Sequence, residues 1–181
     1  MGLVEIVAIA IWFMFPAYIP NNAAVVVGGG PPIDGGRYLG ENRLLGDGKT
    51  WRGLFGGVVA GILVALVLNT VEPTASSALD IGFPRFPLIA IVTLPLGALL
   101  GDIGASFVKR RVGAERGASL PGLDQYDLVI GAIGLTAILS WGWLTSVLTW
   151  WILLAILVIT PILHITTNIG AYLLGLKDVP W

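Results

Sequence analysis

Between Asp127 and Lys177 the chain runs for 49 residues without a charged side chain. As one α-helix that stretch would be about 70 Å long, more than twice the roughly 30 Å hydrocarbon core of a bilayer, so it must fold back or run far outside. The fold-back falls in "SWGWLTSVLTWW", where Trp141, Trp143, Trp150 and Trp151 suit the aromatic belt at a membrane surface. This divides the stretch into spans over Leu128 to Thr145 and Val147 to Leu174. Three earlier apolar runs, Leu3 to Ile19, Leu54 to Val71 and Phe86 to Val108, complete the set. The expected architecture is an all-α integral membrane protein of about five transmembrane helices. It forms one transmembrane domain over residues 1–181, with polar loops at about 20–53 and 109–127. Composition agrees: 56% of the residues are hydrophobic, 12% are charged, and mean hydropathy is +0.88. A single soluble domain is disfavoured. There is no cysteine, so neither a disulfide framework nor a thiolate metal site is available. The first run carries Glu5 and lacks a basic leader, so it reads as a retained span rather than a cleavable signal.

Basic residues set the expected orientation. Arg37, Arg43, Lys49 and Arg52 fall between spans one and two, Lys109, Arg110, Arg111 and Arg116 between three and four, and Lys177 after five. With five spans all of these share one side and only Arg85 lies opposite. The positive-inside rule then places the amino terminus outside and the carboxyl terminus and both loops in the cytoplasm. A four-span chain would send Lys177 outward and is disfavoured.

The loops carry the chemistry. The first is dense in glycine and ends in "LLGDGKTWRGLFGG", where backbone N–H groups can cradle phosphate oxygens and Lys49 and Arg52 add charge. It is not a Walker A loop, because Arg43 stands where that spacing needs glycine. The plainer alternative is a flexible loop with positive anchors. Asp102 lies inside an otherwise apolar span, where a carboxylate is costly and marks function unless it is a structural ion pair. Ser106, Lys109 and Arg110 follow it on one helical face, and Asp124 and Asp127 share a face at the start of span four. Three carboxylates beside eight basic residues suit a nucleotide polyphosphate site, in which Mg²⁺ bridges carboxylates and phosphates. Lipid-headgroup binding would use the basic residues but not the paired aspartates. A transporter would place its charges near the bilayer centre, commonly with repeated halves, and no repeat is present. Nothing points to a nucleic-acid partner. Gly56, Gly57 and Gly61 allow close helix packing inside one chain or between copies, which leaves a homo-oligomer open. His164, alone in span five, is expected to hydrogen-bond between helices.

With "GDIGASFVKRR", "RGASLPGLDQYD" and "GDGKTWRG", supported by "PPIDGGR" and "PAYIPNNAA", the sequence resembles the archaeal CDP-archaeol synthases. It is also similar, more distantly, to the CDP-diacylglycerol synthases. Ser106, Lys109, Pro121, Gly122, Asp124 and Asp127 match their signature, while Gln125 replaces an arginine. The resemblance implies a cell-membrane enzyme, active on the cytoplasmic side, that transfers a cytidylyl group from CTP to an isoprenoid ether-lipid phosphate. The expected acceptor is 2,3-bis-O-geranylgeranylglycerol 1-phosphate. It implies Asp102, Asp124 and Asp127 as Mg²⁺ ligands acting with Lys109, and Lys49, Arg110 and Arg116 on phosphates. Asn22, Asp34, Thr50, Arg52 and Ser106 are candidates for further nucleotide or phosphate contacts.

Overall fold

The computed structural model describes residues 1–114, 120, 122–173 and 175. Six helices make up nearly all of it: α1 (Leu3–Val27), α2 (Trp51–Leu79), α3 (Leu88–Arg111), α4 (Leu123–Leu139), α5 (Trp141–Val147) and α6 (Trp150–Leu173). Among the described residues, α1, α2, α3 and α6 are long and apolar enough to cross a membrane. The chain is a multi-pass helical membrane protein. The α4 helix, with 17 residues, rises only about 25 Å. The all-helical expectation needs one addition, a two-residue β-hairpin pairing β1 (Tyr38–Leu39) with β2 (Asn42–Arg43) in the first loop.

Helix ends depart from the expected spans for local reasons. The α1 helix continues eight residues past Ile19, so residues 20–27 are helix rather than loop. Its Pro16 and Pro20 are both internal and buried. Proline at 20 leaves the Pro16 carbonyl without its usual N–H partner, a vacancy that membrane helices tolerate where a neighbour packs closely. Here the neighbour is Gly61 of α2, where an added Cβ would lie 2.7 Å from that oxygen. Gly57 meets the Pro20 carbonyl in the same way, at 2.6 Å. Gly57 and Gly61 therefore serve α1–α2 packing within one chain. At the other break α4 ends at Leu139, earlier than expected, and α5 forms a separate short turn. Trp141, Trp150 and Trp151 are exposed, as a belt requires. Trp143 instead turns inward, packs on Phe13 and Phe86, and donates its indole N–H to the Arg85 carbonyl.

The centre of the bundle is α1 and α3. Half of the apolar window of α3 is buried and 39% of that of α1, against 17% for α2 and α6, which present most of their surface outward. Phe13, Met14, Ala17, Leu94, Ala98, Ala132 and Ile156 form the core. Buried hydroxyls are paired between helices: Tyr18 with Thr160 at 2.7 Å and Thr93 with Thr136 at 2.8 Å. The closest approach joins α3 to α4 through Gly97, Gly101 and Gly131. An added Cβ at Gly101 would sit 2.0 Å from the Asp127 main-chain oxygen, and one at Gly131 would sit 2.1 Å from that of Gly97. Small residues four apart let helix backbones touch in this way. The contact sets Asp127 against the turn that carries Asp102.

Candidate functional site

The carboxyl-terminal ends of α1 and α3 and the amino-terminal ends of α2 and α4 meet at one end of the bundle, capped by the first loop. That loop is ordered around one carboxylate. Asp34 is buried and accepts from the Gly36 N–H (3.0 Å), the Leu45 N–H (3.1 Å), the Gly46 N–H (3.0 Å) and the Arg43 guanidinium (2.7 Å). Burial opposes the charge, but the hydrogen bonds from Arg43, Gly46, Gly36 and Leu45 outweigh it and hold the carboxyl well below the usual carboxylate range. All of its acceptor capacity is used. Asp34 thus organises the loop, and it also lines a cleft with Ile33, Arg37 and Phe107. Glycines with positive φ at 35, 36, 40 and 46 let the chain fold back around it.

The loop is also tied to α3. Arg111 donates to the carbonyls of Leu39 (2.7 Å) and Arg43 (2.6 Å), and Arg110 to those of Ala114 (2.5 Å) and Leu45 (3.4 Å). Arg110, expected on phosphates, is spent on backbone oxygens here. At the far end of the loop, Ile33 N–H bonds the Lys49 carbonyl and Pro32 bridges Thr50. Thr50 then caps α2 by accepting the Gly53 N–H at 3.1 Å. A threonine before an apolar run is a capping signal in sequence, so this role was legible.

These supports deliver Lys49 to Asp102, with which it forms an ion pair between the start of α2 and the last turns of α3. One helix over, Lys109 of α3 pairs with Asp124 of α4 at 2.5 Å. Asp124 also accepts the Leu120 N–H at 3.0 Å, and it sits in the first turn of α4, where the helix dipole favours a negative charge. Asp127 is buried, accepts the Leu128 N–H at 2.5 Å, and lies within electrostatic range of Asp102, Asp124 and Lys49. Asp102, Asp124, Asp127, Lys49 and Lys109 are therefore brought together. Ser106 is half-buried on α3, one turn from Asp102.

Other expected residues fall elsewhere. Arg52 is exposed on the first turn of α2, its stem near Gly30. Asn22 is exposed and bonds the Tyr18 carbonyl of its own helix at 3.4 Å. Because residues 20–27 are helical, the 100° step between neighbours turns Asn21 to the site instead. Asn21 lines a cavity of about 70 Å³ with Lys49, Thr50 and Asp102, and its Oδ1 is buried without a hydrogen-bond partner. Arg116 lies outside the described residues. His164 pairs with Asn168, 3.2 Å away and one turn along its own helix. Glu5 caps the first turn of α1 through the Gly2 N–H.

The chain is thus a polytopic helical membrane protein with two lysine–carboxylate pairs and a buried aspartate gathered at one end of its bundle. The family model described as CarS-like: CDP-archaeol synthase matches residues 3–181, and the chain belongs to that family. It is 53% identical to the CDP-archaeol synthase of Natronomonas pharaonis, with 98% of each chain covered. It is 52% identical to that of Halobacterium salinarum, with all of each covered. A solved structure, described as an intramembrane enzyme for archaeal membrane lipid biosynthesis, superposes with a TM-score of 0.72 at 36% identity. That likeness covers 88% of this chain and 92% of the other.

Proposed function

We propose that the Lys49–Asp102 and Lys109–Asp124 pairs, with Asp127 beside them, are the polyphosphate site at which this enzyme works. Family membership makes the chain a membrane-bound, CTP-dependent cytidylyltransferase of archaeal lipid biosynthesis. In the reaction an oxygen of the lipid phosphate attacks the α-phosphorus of CTP, the bond to the β-phosphate breaks, and pyrophosphate leaves with that electron pair. The acceptor, 2,3-bis-O-geranylgeranylglycerol 1-phosphate on this reading, enters as an anion, so no general base is needed. The protein's task is to bring two anions together and to neutralise charge on the leaving group.

The observation that carries this reading is the pairing itself. Each lysine is paired with a carboxylate and partly shielded from water. When polyphosphate arrives, Lys49 and Lys109 turn to its oxygens, and Asp102 and Asp124 lose their counter-ions. Three carboxylates without thiols are the donor set of a hard cation such as Mg²⁺. Among the described residues no three acidic or histidine side chains converge into a cage of their own. This suits Mg²⁺, which is commonly held by one or two carboxylates together with substrate phosphates. One or two of Asp102, Asp124 and Asp127 would hold it together with the phosphates, and it would supply charge neutralisation across them. Asn21 and Thr50, which line the cavity at Lys49 and Asp102, and Ser106, one turn along α3, are uncharged polar groups available to the nucleotide.

In this reading α4 is the fourth of five spans, completing the set formed with α1, α2, α3 and α6. The amino terminus lies outside and the charged end of the bundle faces the cytoplasm, supported by the basic residues of both loops. The whole chain is then one catalytic domain. Lipid enters sideways from the inner leaflet, because withdrawing geranylgeranyl chains into water costs roughly 0.8 kcal/mol for each CH₂. Purified protein given labelled CTP, Mg²⁺ and the digeranylgeranyl phosphate should release pyrophosphate, and glycerol 1-phosphate should be a very poor acceptor. Equal specificity constants for the two would refute lateral entry, and release without any lipid would refute the transfer itself.

A further inference from the structure

Pro161 lies inside α6. Proline has no N–H, so the carbonyl four residues earlier, that of Leu157, loses its partner within the helix. In a bilayer no water replaces that partner, and the vacancy must be met by protein. The hydroxyl of Thr160, next to the proline, is already paired with Tyr18 of α1 at 2.7 Å. The donor comes instead from another helix: the Tyr126 hydroxyl donates to the Leu157 main-chain oxygen at 2.9 Å. Tyr126 stands in the first turn of α4, between Asp124 and Asp127. We infer that Tyr126 is a positioning residue for these two carboxylates, seated on a carbonyl that Pro161 leaves open on α6. The inference rests on the polyphosphate reading given above, in which Asp124 and Asp127 take part.

The start of α4 needs an external hold. Gly122, its N-cap, has no side chain to cap the helix, and helix ends open readily when nothing ties them. The α3 helix supplies one tie, through Lys109 and Asp124. Successive helical residues turn by 100°, so the Tyr126 side chain leaves the axis about 200° from that of Asp124. The two side chains reach different neighbours, α3 and α6, and together they fix the rotation of the turn as well as its place. The Gly101 contact sets how closely α3 and α4 approach, but a glycine has no side chain with which to resist rotation. Asp127 is one residue past Tyr126, so a roll of this turn would shift it relative to Asp102. Packing alone gives α6 a weak grip on the bundle, since only 17% of its apolar window is buried. The hydroxyl therefore supplies a directional tie between α4 and α6 that apolar contact does not.

The test measures kcat, the KM values for CTP and the digeranylgeranyl phosphate, and melting temperature. It compares full-length wild type in detergent with Tyr126→Phe, Pro161→Ala, the double variant and Tyr18→Phe. Tyr126→Phe should lower kcat roughly tenfold or more, because misplacing reacting groups by about 1 Å can cost 100-fold, while the lipid KM stays nearly unchanged. Pro161→Ala returns an N–H to the Leu157 carbonyl, where it competes with the Tyr126 hydroxyl, and should lower kcat in the same direction by less. Both changes act through one bond, so the double variant should be no slower than Tyr126→Phe. Tyr18→Phe removes the same kind of hydroxyl from the α1 side of α6 and should lower the melting temperature with kcat near wild type. Should Pro161→Ala fail to purify as a folded protein, the contrast between Tyr126→Phe and Tyr18→Phe decides the matter. Wild-type kcat in Tyr126→Phe, or an equal fall in Tyr18→Phe, would overturn the positioning role, and additive losses in the double variant would overturn the shared carbonyl as its means. Undiminished turnover in both Asp124→Asn and Asp127→Asn would overturn the polyphosphate reading and this inference with it.

Discussion

Replacing Gly101 with alanine should disable the enzyme from a position that offers no functional group. The new Cβ would lie 2.0 Å from the Asp127 main-chain oxygen, and ordinary contact begins at 3.4 Å, so α3 and α4 must part by about 1.4 Å at this level. Neither backbone can yield alone, because Gly131 meets Gly97 one turn further along, with an added Cβ only 2.1 Å from an oxygen. Overpacking of this kind costs about 1–3 kcal/mol. The larger effect falls on the chemistry: displacing positioned groups by about 1 Å can lower turnover roughly 100-fold. The Asp102–Asp127 and Lys109–Asp124 relations both cross this interface. Cytidylyl transfer by Gly101→Ala in detergent, together with its melting temperature, measures both consequences. Gly104→Ala is the control, since nothing lies within 4 Å of its added Cβ. Wild-type turnover and melting for Gly101→Ala would refute the glycine contact as the element that registers the carboxylates.

Asp124→Asn and Asp127→Asn should each lower turnover by orders of magnitude while the protein remains extractable, and excess chelator should do the same to wild type; full rates in chelator would remove the metal from the mechanism. Lys49→Ala should weaken CTP binding by calorimetry, whereas unchanged affinity would reduce Lys49 to an anchor for Asp102. Asp34→Asn keeps one acceptor and turns an amide N–H₂ toward backbone donors, so the loop should become sensitive to protease at neutral pH. The folded Asp34 carboxyl is held low, so its contribution to loop order is complete above the ordinary carboxylate value of about 4, declines as pH falls below it, and is gone below the depressed folded value. Protease resistance of the wild-type loop should follow that course, and resistance lost on going from pH 7 to 5 would contradict it.

Much of the site was legible because its residue types are expensive where they stand. A carboxylate such as Asp102 within an apolar run announces a partner, and the structure supplies Lys49. Asp124 and Asp127 were legible as a spaced pair at a helix start. Asn21 was not, because the choice between it and Asn22 depends on where α1 ends, and the apolar run read from the sequence stops at Ile19 while the helix continues to Val27. The roles of Asp34 and Arg111 were hidden for another reason: both act on main-chain groups of residues distant in sequence, and side-chain patterns carry no trace of such bonds. The Gly97 and Gly101 spacing was visible, but only the facing Gly131 gives it meaning.

The lysine–carboxylate pairs also bear on how the enzyme meets salt. Lys49 and Lys109 each carry a carboxylate counter-ion, so on the polyphosphate reading proposed above substrate binding would be an ion exchange in which phosphate displaces aspartate from lysine. The paired groups are only about a fifth exposed, with side-chain values from 15% to 26%. Partly buried pairs are screened far less than charges in open water. Raising ionic strength should therefore slow diffusional capture of CTP by the exposed arginines more than it loosens CTP once seated, giving a site whose occupancy is buffered against the salinity of its surroundings.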